Sequence, residues 1–166
     1  EETTSEMFSR FELSLDDHKK LMEYSESIKM PLMSTPFDEK SADQLFDLGV
    51  KAFKIASFDL VNLPFIKYVA SKKIPIILST GMANMNEIEE AVEAVAKVQN
   101  ENLIILHCVS AYPADITDVN MSVLQTLRNN FKIPIGYSDH TIGPLASQMA
   151  FTLKADVVEK HFTLDN

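Results

Sequence analysis

An α/β architecture of parallel strands alternating with helices, of the (β/α)8 barrel type and present as a partial barrel of about six strands, is predicted by three observations. Short β-branched, apolar runs recur along the chain, each ends abruptly in hydroxyls, charges or histidine, and segments of helical periodicity separate them. Buried parallel strands read as near-continuous hydrophobic runs, and in alternating βα folds their carboxyl ends open onto the ligand site. The six polar ends are Ser34-Thr35, Lys54 to Asp59, Ser79-Thr80-Gly81, His107 to Tyr112, Tyr137 to Thr141 and Glu159-Lys160-His161.

Taken in order, the pattern predicts strands over 31–35, 52–57, 74–79, 103–108, 133–137 and 156–160. Helices are expected over about 15–29, 40–48, 62–72, 86–99, 120–130 and 143–154. Ser14 with Asp17 and Asn86 with Glu89 have capping-box spacing, and Asn120 is placed to cap the fifth helix. In the 86–99 segment Ile88, Ala91, Val92 and Val95 share one face, with Glu87, Glu89 and Glu90 expected in the first turn, where the helix dipole favours anions. Only four glycines occur, so each is expected to have a backbone role. Gly49 ends a helix, Gly81 and Gly143 fall in βα loops, and Gly136 lies inside the fifth predicted strand, either merely tolerated or closely packed.

Successive strand starts are 21 to 30 residues apart, the length of one βα unit. An open doubly wound sheet normally carries a glycine-rich phosphate loop, and neither G-x-G-x-x-G nor a P-loop occurs. Polar residues at every strand end, rather than at one switch point, favour the barrel. A closed barrel needs eight strands and about 250 residues, so a chain of 166 residues is a fragment, borrows strands from a partner, or leaves sheet edges open.

Composition narrows the function. With 46% hydrophobic and 23% charged residues the chain has the material for one sizeable core and is neither disordered nor fibrous. A net charge of -9 argues against a nucleic-acid footprint, which needs a basic face. No apolar run approaches the roughly 18 residues that span a bilayer, and the polar start, Glu1 to Glu6, is unlike a signal peptide. Cys108 is the only cysteine, so no internal disulfide forms, and a reducing, cytoplasmic setting is expected.

The strand ends carry the chemistry. Lys54 stands inside an apolar strand, where burial requires an anion or a carboxylate. A salt bridge to Asp59 or Glu159 would suffice, but hydroxyls from Ser57, Ser79 and Thr80 favour a phosphate or carboxylate cradle. His140 and His161 end successive strands; they are either structural or a pair of ligands for Mn²⁺, Zn²⁺ or Fe²⁺, with Asp139 or Glu159 orienting an imidazole or binding substrate. His107 and Cys108 are strand neighbours and point to opposite faces, so Cys108 reads as a small buried residue rather than a nucleophile. Ser110 and Tyr112 are placed to hydrogen-bond a polyhydroxylated ligand, and His18, among Asp16, Asp17 and Lys19, is expected on a solvated face.

In this order, the strings Leu32 to Asp38, Phe53 to Ser57, Leu78 to Met82, Leu106 to Pro113, Asp118 to Asn120, Gly136 to Thr141 and Glu159 to Asp165 resemble the sialic acid synthase family, the nonulosonic acid synthases that include spore-coat polysaccharide synthases. The resemblance implies a (β/α)8 barrel that condenses phosphoenolpyruvate with an N-acetylhexosamine, such as N-acetylmannosamine, to a nine-carbon 2-keto-3-deoxy acid and releases phosphate. It implies a divalent metal, Mn²⁺ or Mg²⁺, held by His140 and His161. Thr35, Lys54, Ser57, Ser79, Ser110 and Ser138 match groups around phosphoenolpyruvate, and Asp59, Tyr112 and Glu159 match positions near the sugar. Lys54, His140 and His161 are the catalytic candidates. Asp59 departs from the glutamate of many members, and Ser110 from the asparagine of some.

On the same resemblance residues 1–166 correspond to strands three to eight of the family barrel. The first two strands, with a catalytic glutamate and a further lysine, and the small C-terminal antifreeze-like domain, which in the family reaches over the active site of a homodimer partner, have no counterpart in the sequence. Two other expectations are a non-catalytic assembly module that pairs through open edges and another phosphoenolpyruvate-dependent aldol-type synthase.

Overall fold

The computed structural model describes residues 3–164. Glu1 and Glu2 of the polar start and Asp165 of the last motif lie outside the described residues. The elements run α1 (Thr4–Phe11), α2 (Leu15–Ser27), α3 (Glu39–Asp47), β1 (Phe53–Ile55), α4 (Leu63–Ser71), β2 (Ile76–Ser79), α5 (Met85–Lys97), β3 (Leu103–Cys108), α6 (Ser122–Asn130), β4 (Ile135–Asp139), α7 (Leu145–Thr152) and β5 (Val158–Lys160). All pairings are parallel, in the order β1-β2-β3-β4-β5.

Among the described residues the sheet has five strands rather than the six expected. Residues 31–35 run beside β1, giving the Leu32 and Ser34 carbonyls to the amides of Lys51 and Lys54, but make only an isolated parallel bridge, Ser34 to Phe53. Pro31 and Pro36 flank this stretch and have no N–H to donate. Prolines trim two other strands in the same way: Pro75 and Pro134 precede β2 and β4 and contribute only carbonyls, to Phe53 and Ile105.

Helix starts follow side-chain capping. Ser14 caps α2 as expected, accepting from the Asp17 amide at 3.2 Å. The capping box of α5 is Asn84 with Glu87, not Asn86 with Glu89, so Glu87 is the acidic residue of the first turn. Asn120 does not cap α6; it adopts a positive φ of 36° and accepts from the Ser122 hydroxyl. Helix α1 was not anticipated, although Thr3 and Glu6 form a reciprocal capping box at its start. Gly49, at φ 84°, follows α3 in the left-handed conformation that glycine adopts without strain.

Alternation gives the sheet two different faces. Phe53, Ile55, Ile76, Leu78, Ile105, Ile135 and Tyr137 point toward the helices and join one core with Leu45, Ile66, Val69, Ala91, Val95, Leu124, Leu127 and Ala150. Ile88, Ala91 and Val95 of the expected α5 face are buried, with Ala94 beside them and Val92 packed at the margin. The other face carries Lys54, Ile77, Ser79, Leu106, Cys108, Gly136, Ser138 and Glu159, which register neighbours place in line across the strands.

That second face is concave. Flat strands spaced about 4.8 Å apart would put β1 and β5 about 19 Å from each other. Instead the Lys54 ammonium reaches the Glu159 carboxylate at 3.6 Å, so the sheet curls as a partial barrel with these residues inside. Gly136 permits the close packing: a Cβ there would lie 2.4 Å from the Val157 carbonyl oxygen and 2.6 Å from Leu106 Cδ2. Among the described residues no helix is long and apolar enough to cross a membrane.

Candidate active site

A chain of polar contacts runs along the concave face at the strand ends. Glu159 Oε2 faces Lys54 Nζ, and Glu159 Oε1 accepts from the Ser138 hydroxyl at 2.5 Å. Ser138 Oγ is in turn 3.3 Å from His140 Nε2. The two alternatives for Lys54 therefore merge: it has a carboxylate partner, and that carboxylate is itself a site residue open to one third of its surface. Asp59 is not the partner.

The two histidines are brought together as their strand ends predicted. Their ring centroids are 5.5 Å apart, and Tyr112 stacks on His140 at 4.1 Å while meeting His161 edge-on at 5.7 Å. His140 Nδ1 lies 2.7 Å from the Val109 carbonyl, which fixes the tautomer with the proton on Nδ1 and leaves the Nε2 lone pair available. Burial, the largest effect on this imidazole, holds its pKa below the usual histidine range, so the neutral, ligating form prevails near pH 7. His161 is exposed. The donor chemistry suits a divalent metal of intermediate softness: two imidazoles, with water or substrate oxygen to fill the remaining positions. Among the described residues no group of three or more His, Cys, Asp or Glu side chains is placed to hold a metal ion, so the two imidazoles stand as a pair.

Beside them is a small-residue cradle. The Gly81 amide donates to Ser57 Oγ at 3.0 Å, and a Cβ on Gly81 would fall 2.2 Å from Ser110 Oγ and 2.9 Å from Ser57 Oγ. Three loops thus meet at one glycine. Among the described residues Ser79 Oγ, buried on the same face, has no hydrogen-bond partner. Thr80, expected with it, instead donates to the Leu106 carbonyl at 3.0 Å.

Asp59 ends the short 3-10 turn Ser57–Asp59 after β1. It is buried, among the described residues Oδ2 has no hydrogen-bond partner, and desolvation raises its pKa above the ordinary carboxylate value. The Ser34 to Phe53 bridge sets Thr35 beside Lys54 in register. Thr35 also lines an open groove of about 870 Å³ with Phe37, Phe58, Leu13, Leu15 and His18, a lining that includes neither His140 nor His161. His18 is accordingly half-buried, with Nδ1 3.0 Å from the Ser14 carbonyl, rather than on a solvated face.

Cys108 is buried and free, with its sulfur 3.9 Å from His140 Nδ1. His107 points the opposite way, as strand alternation requires, and its Nε2 lies 2.7 Å from the Val119 carbonyl. Asp139 does not touch an imidazole; its carboxylate binds Thr141, Ser147 and Lys160. Sequence reasoning missed the contribution of Lys160 and the cradle role of Gly81. For Gly81 the scarcity of glycine was the available signal.

The sequence and the fold have known relatives. The chain is 45% identical over 167 residues to the N,N'-diacetyllegionaminic acid synthase of Legionella pneumophila, covering 98% of this chain and 47% of that one. It superposes with a TM-score of 0.90 and 38% identity on N-acetylneuraminic acid (sialic acid) synthetase from Leptospira borgpetersenii, over 93% of this chain and 54% of that one. The same score and identity are found with the spore coat polysaccharide biosynthesis protein spsE of Bacillus subtilis, over 93% and 44%. The chain spans about half the length of the relatives it matches. With residues 1–166 all matched by the NeuB family model, the chain belongs to the NeuB family.

Proposed function

We propose that this chain carries the metal-binding and anion-binding half of a nonulosonic acid synthase, which condenses phosphoenolpyruvate with an N-acetylhexosamine such as N-acetylmannosamine. In that reaction C3 of phosphoenolpyruvate joins the aldehyde carbon, water adds at C2, and phosphate leaves with cleavage of the C–O bond. The observation that supports it best is the continuous line Lys54, Glu159, Ser138, His140, which sets a cation, a carboxylate, a hydroxyl and an imidazole on one concave face.

Each residue has a task in this reading. Lys54, with the hydroxyls of Ser57, Ser79, Ser110, Ser138 and Thr35, holds the phosphate and carboxylate of phosphoenolpyruvate. Tyr112, Glu159 and Asp59 face the sugar; Asp59, with a raised pKa and an unpartnered oxygen, accepts or donates to a sugar hydroxyl. His140 and His161 hold Mn²⁺ or Mg²⁺, which when bound supplies Lewis-acid polarisation of the aldehyde. Two imidazoles favour Mn²⁺. A cytoplasmic location and a homodimer belong to the same proposal.

Calorimetric titration of Mn²⁺ and phosphoenolpyruvate into the protein, with a His140→Ala/His161→Ala variant alongside, tests it. The reading requires binding by the unmodified protein that the variant loses. Equal binding by both removes the histidines from the site.

A further inference from the structure

Asp139 and Lys160 are the last residues of β4 and β5, lie opposite each other in register, and each directly precedes a histidine of the site. Their charges meet at 2.9 Å on the face turned away from the concave side. The Asp139 side chain is fully buried and its acceptors are filled: Oδ1 takes the Thr141 amide at 2.9 Å and the Thr141 hydroxyl at 2.8 Å, and Oδ2 takes Ser147 Oγ and Lys160 Nζ. Lys160 Nζ also donates to the Thr141 carbonyl at 2.9 Å. One ammonium therefore grips the residues on both sides of His140, while its own backbone continues straight into His161.

The two imidazoles are held unequally. His140 is anchored through Nδ1 to Val109, whereas His161 is exposed, lies beyond the end of β5, and meets Tyr112 and His140 through its ring. Asp139 is fully buried, while the Lys160 side chain keeps 31% of its surface in water; an ion pair of this kind adds little stability of its own, and what it fixes is geometry, through the two hydrogen bonds of the ammonium.

We propose that the Asp139–Lys160 pair is a positioning clamp for the two-imidazole site, setting the separation of His140 and His161 from the reverse side of the sheet. The proposal rests on the reading of these histidines as metal ligands. Neither clamp residue is a ligand in this reading; Lys160 acts through the residues on either side of His140 and through its own peptide link to His161, as outer-shell partners do.

The test compares Lys160→Met, Lys160→Gln and Lys160→Arg with the unmodified protein and with His140→Ala/His161→Ala. Mn²⁺ dissociation constants are read from the electron paramagnetic resonance of the free ion, and imidazole nitrogen and ring-proton NMR spectra are recorded without metal. Lys160→Met and Lys160→Gln are expected to weaken Mn²⁺ binding about 10- to 100-fold. They should also lose the His140 to His161 ring cross-peaks while the Nδ1–H signature of His140 persists, and Lys160→Arg should restore both. Mn²⁺ affinity within twofold of the original in the Met and Gln variants overturns the clamp. If the double histidine variant loses Mn²⁺ while these two keep it, the clamp alone fails; if the double variant keeps Mn²⁺, the metal reading fails and the clamp with it.

Discussion

The Ser110 hydroxyl occupies the place of a side chain on Gly81: a Cβ built there would stand 2.2 Å from Ser110 Oγ. Gly81→Ala is therefore expected to push Ser110 and Ser57 out of the cradle, cost about 1–3 kcal/mol of stability through overpacking, and weaken phosphoenolpyruvate binding at least about tenfold. Adding Ser110→Ala makes room and should recover most of the stability but not the affinity. Denaturant titration and calorimetry separate the two effects; an affinity that returns with the stability would remove Ser110 from the cradle.

Lys54→Met keeps the stem and removes the charge from the concave face. Because Lys54 and Glu159 are a 3.6 Å pair with Glu159 partly in water, the change should alter stability by less than about 1 kcal/mol. Loss of a charge-assisted contact to an anion is expected to weaken phosphoenolpyruvate binding about 10- to 100-fold. A large fall in melting temperature with unchanged affinity would make Lys54 structural.

Acid should release the Asp139 network. Burial acts to raise the Asp139 pKa, but hydrogen bonds from Ser147, Lys160 and Thr141 outweigh it and bring it from 3.8 down to about 2. The unfolded chain therefore binds this proton first as pH falls, and the stabilisation is complete above about 3.8 and gone once pH has fallen through about 2. The lowering corresponds to about 2 kcal/mol. Unfolding free energy measured across that window should fall less steeply in Asp139→Asn, which begins less stable; parallel pH profiles would contradict the assignment.

Helix α5 offers a test of two neighbouring asparagines. Asn84→Ala removes the side chain that accepts from the Glu87 amide and should cost about 1 kcal/mol. Asn86→Ala, at the second residue of the helix and exposed, should change stability by less than about 0.5 kcal/mol. Urea denaturation of the two single variants decides, and equal losses would mean the helix starts elsewhere.

The same pair shows where sequence reading reached and where it stopped. Asn84 and Asn86 are both followed three residues later by glutamate, and spacing alone does not choose between them; the choice belongs to the loop from Gly81, whose path is fixed by Ser57 and Ser110. The strand ends were legible because burial on both faces leaves apolar runs whose termination is abrupt. Strand 31–35 failed because pairing depends on neighbours in space, and prolines at 31 and 36 are compatible with a strand that has them and with an edge that does not. For the site, His140, His161 and Glu159 converge as their strand positions implied. The bond from Lys160 across to Thr141 had no sequence signal, because it depends on the register of β5 against β4.

The two faces of the sheet divide inheritance as well as space. Along β4, Ile135 and Tyr137 lie in the helix-side core while Gly136 and Ser138 line the concave side, so alternate letters of one strand answer to different kinds of selection. Exchanges at Ser138 or Ser110 can revise what is held without disturbing what folds, and exchanges at Ile135 do the reverse. A lineage built this way can change its ligand contacts one strand end at a time, on a scaffold that does not register the experiment.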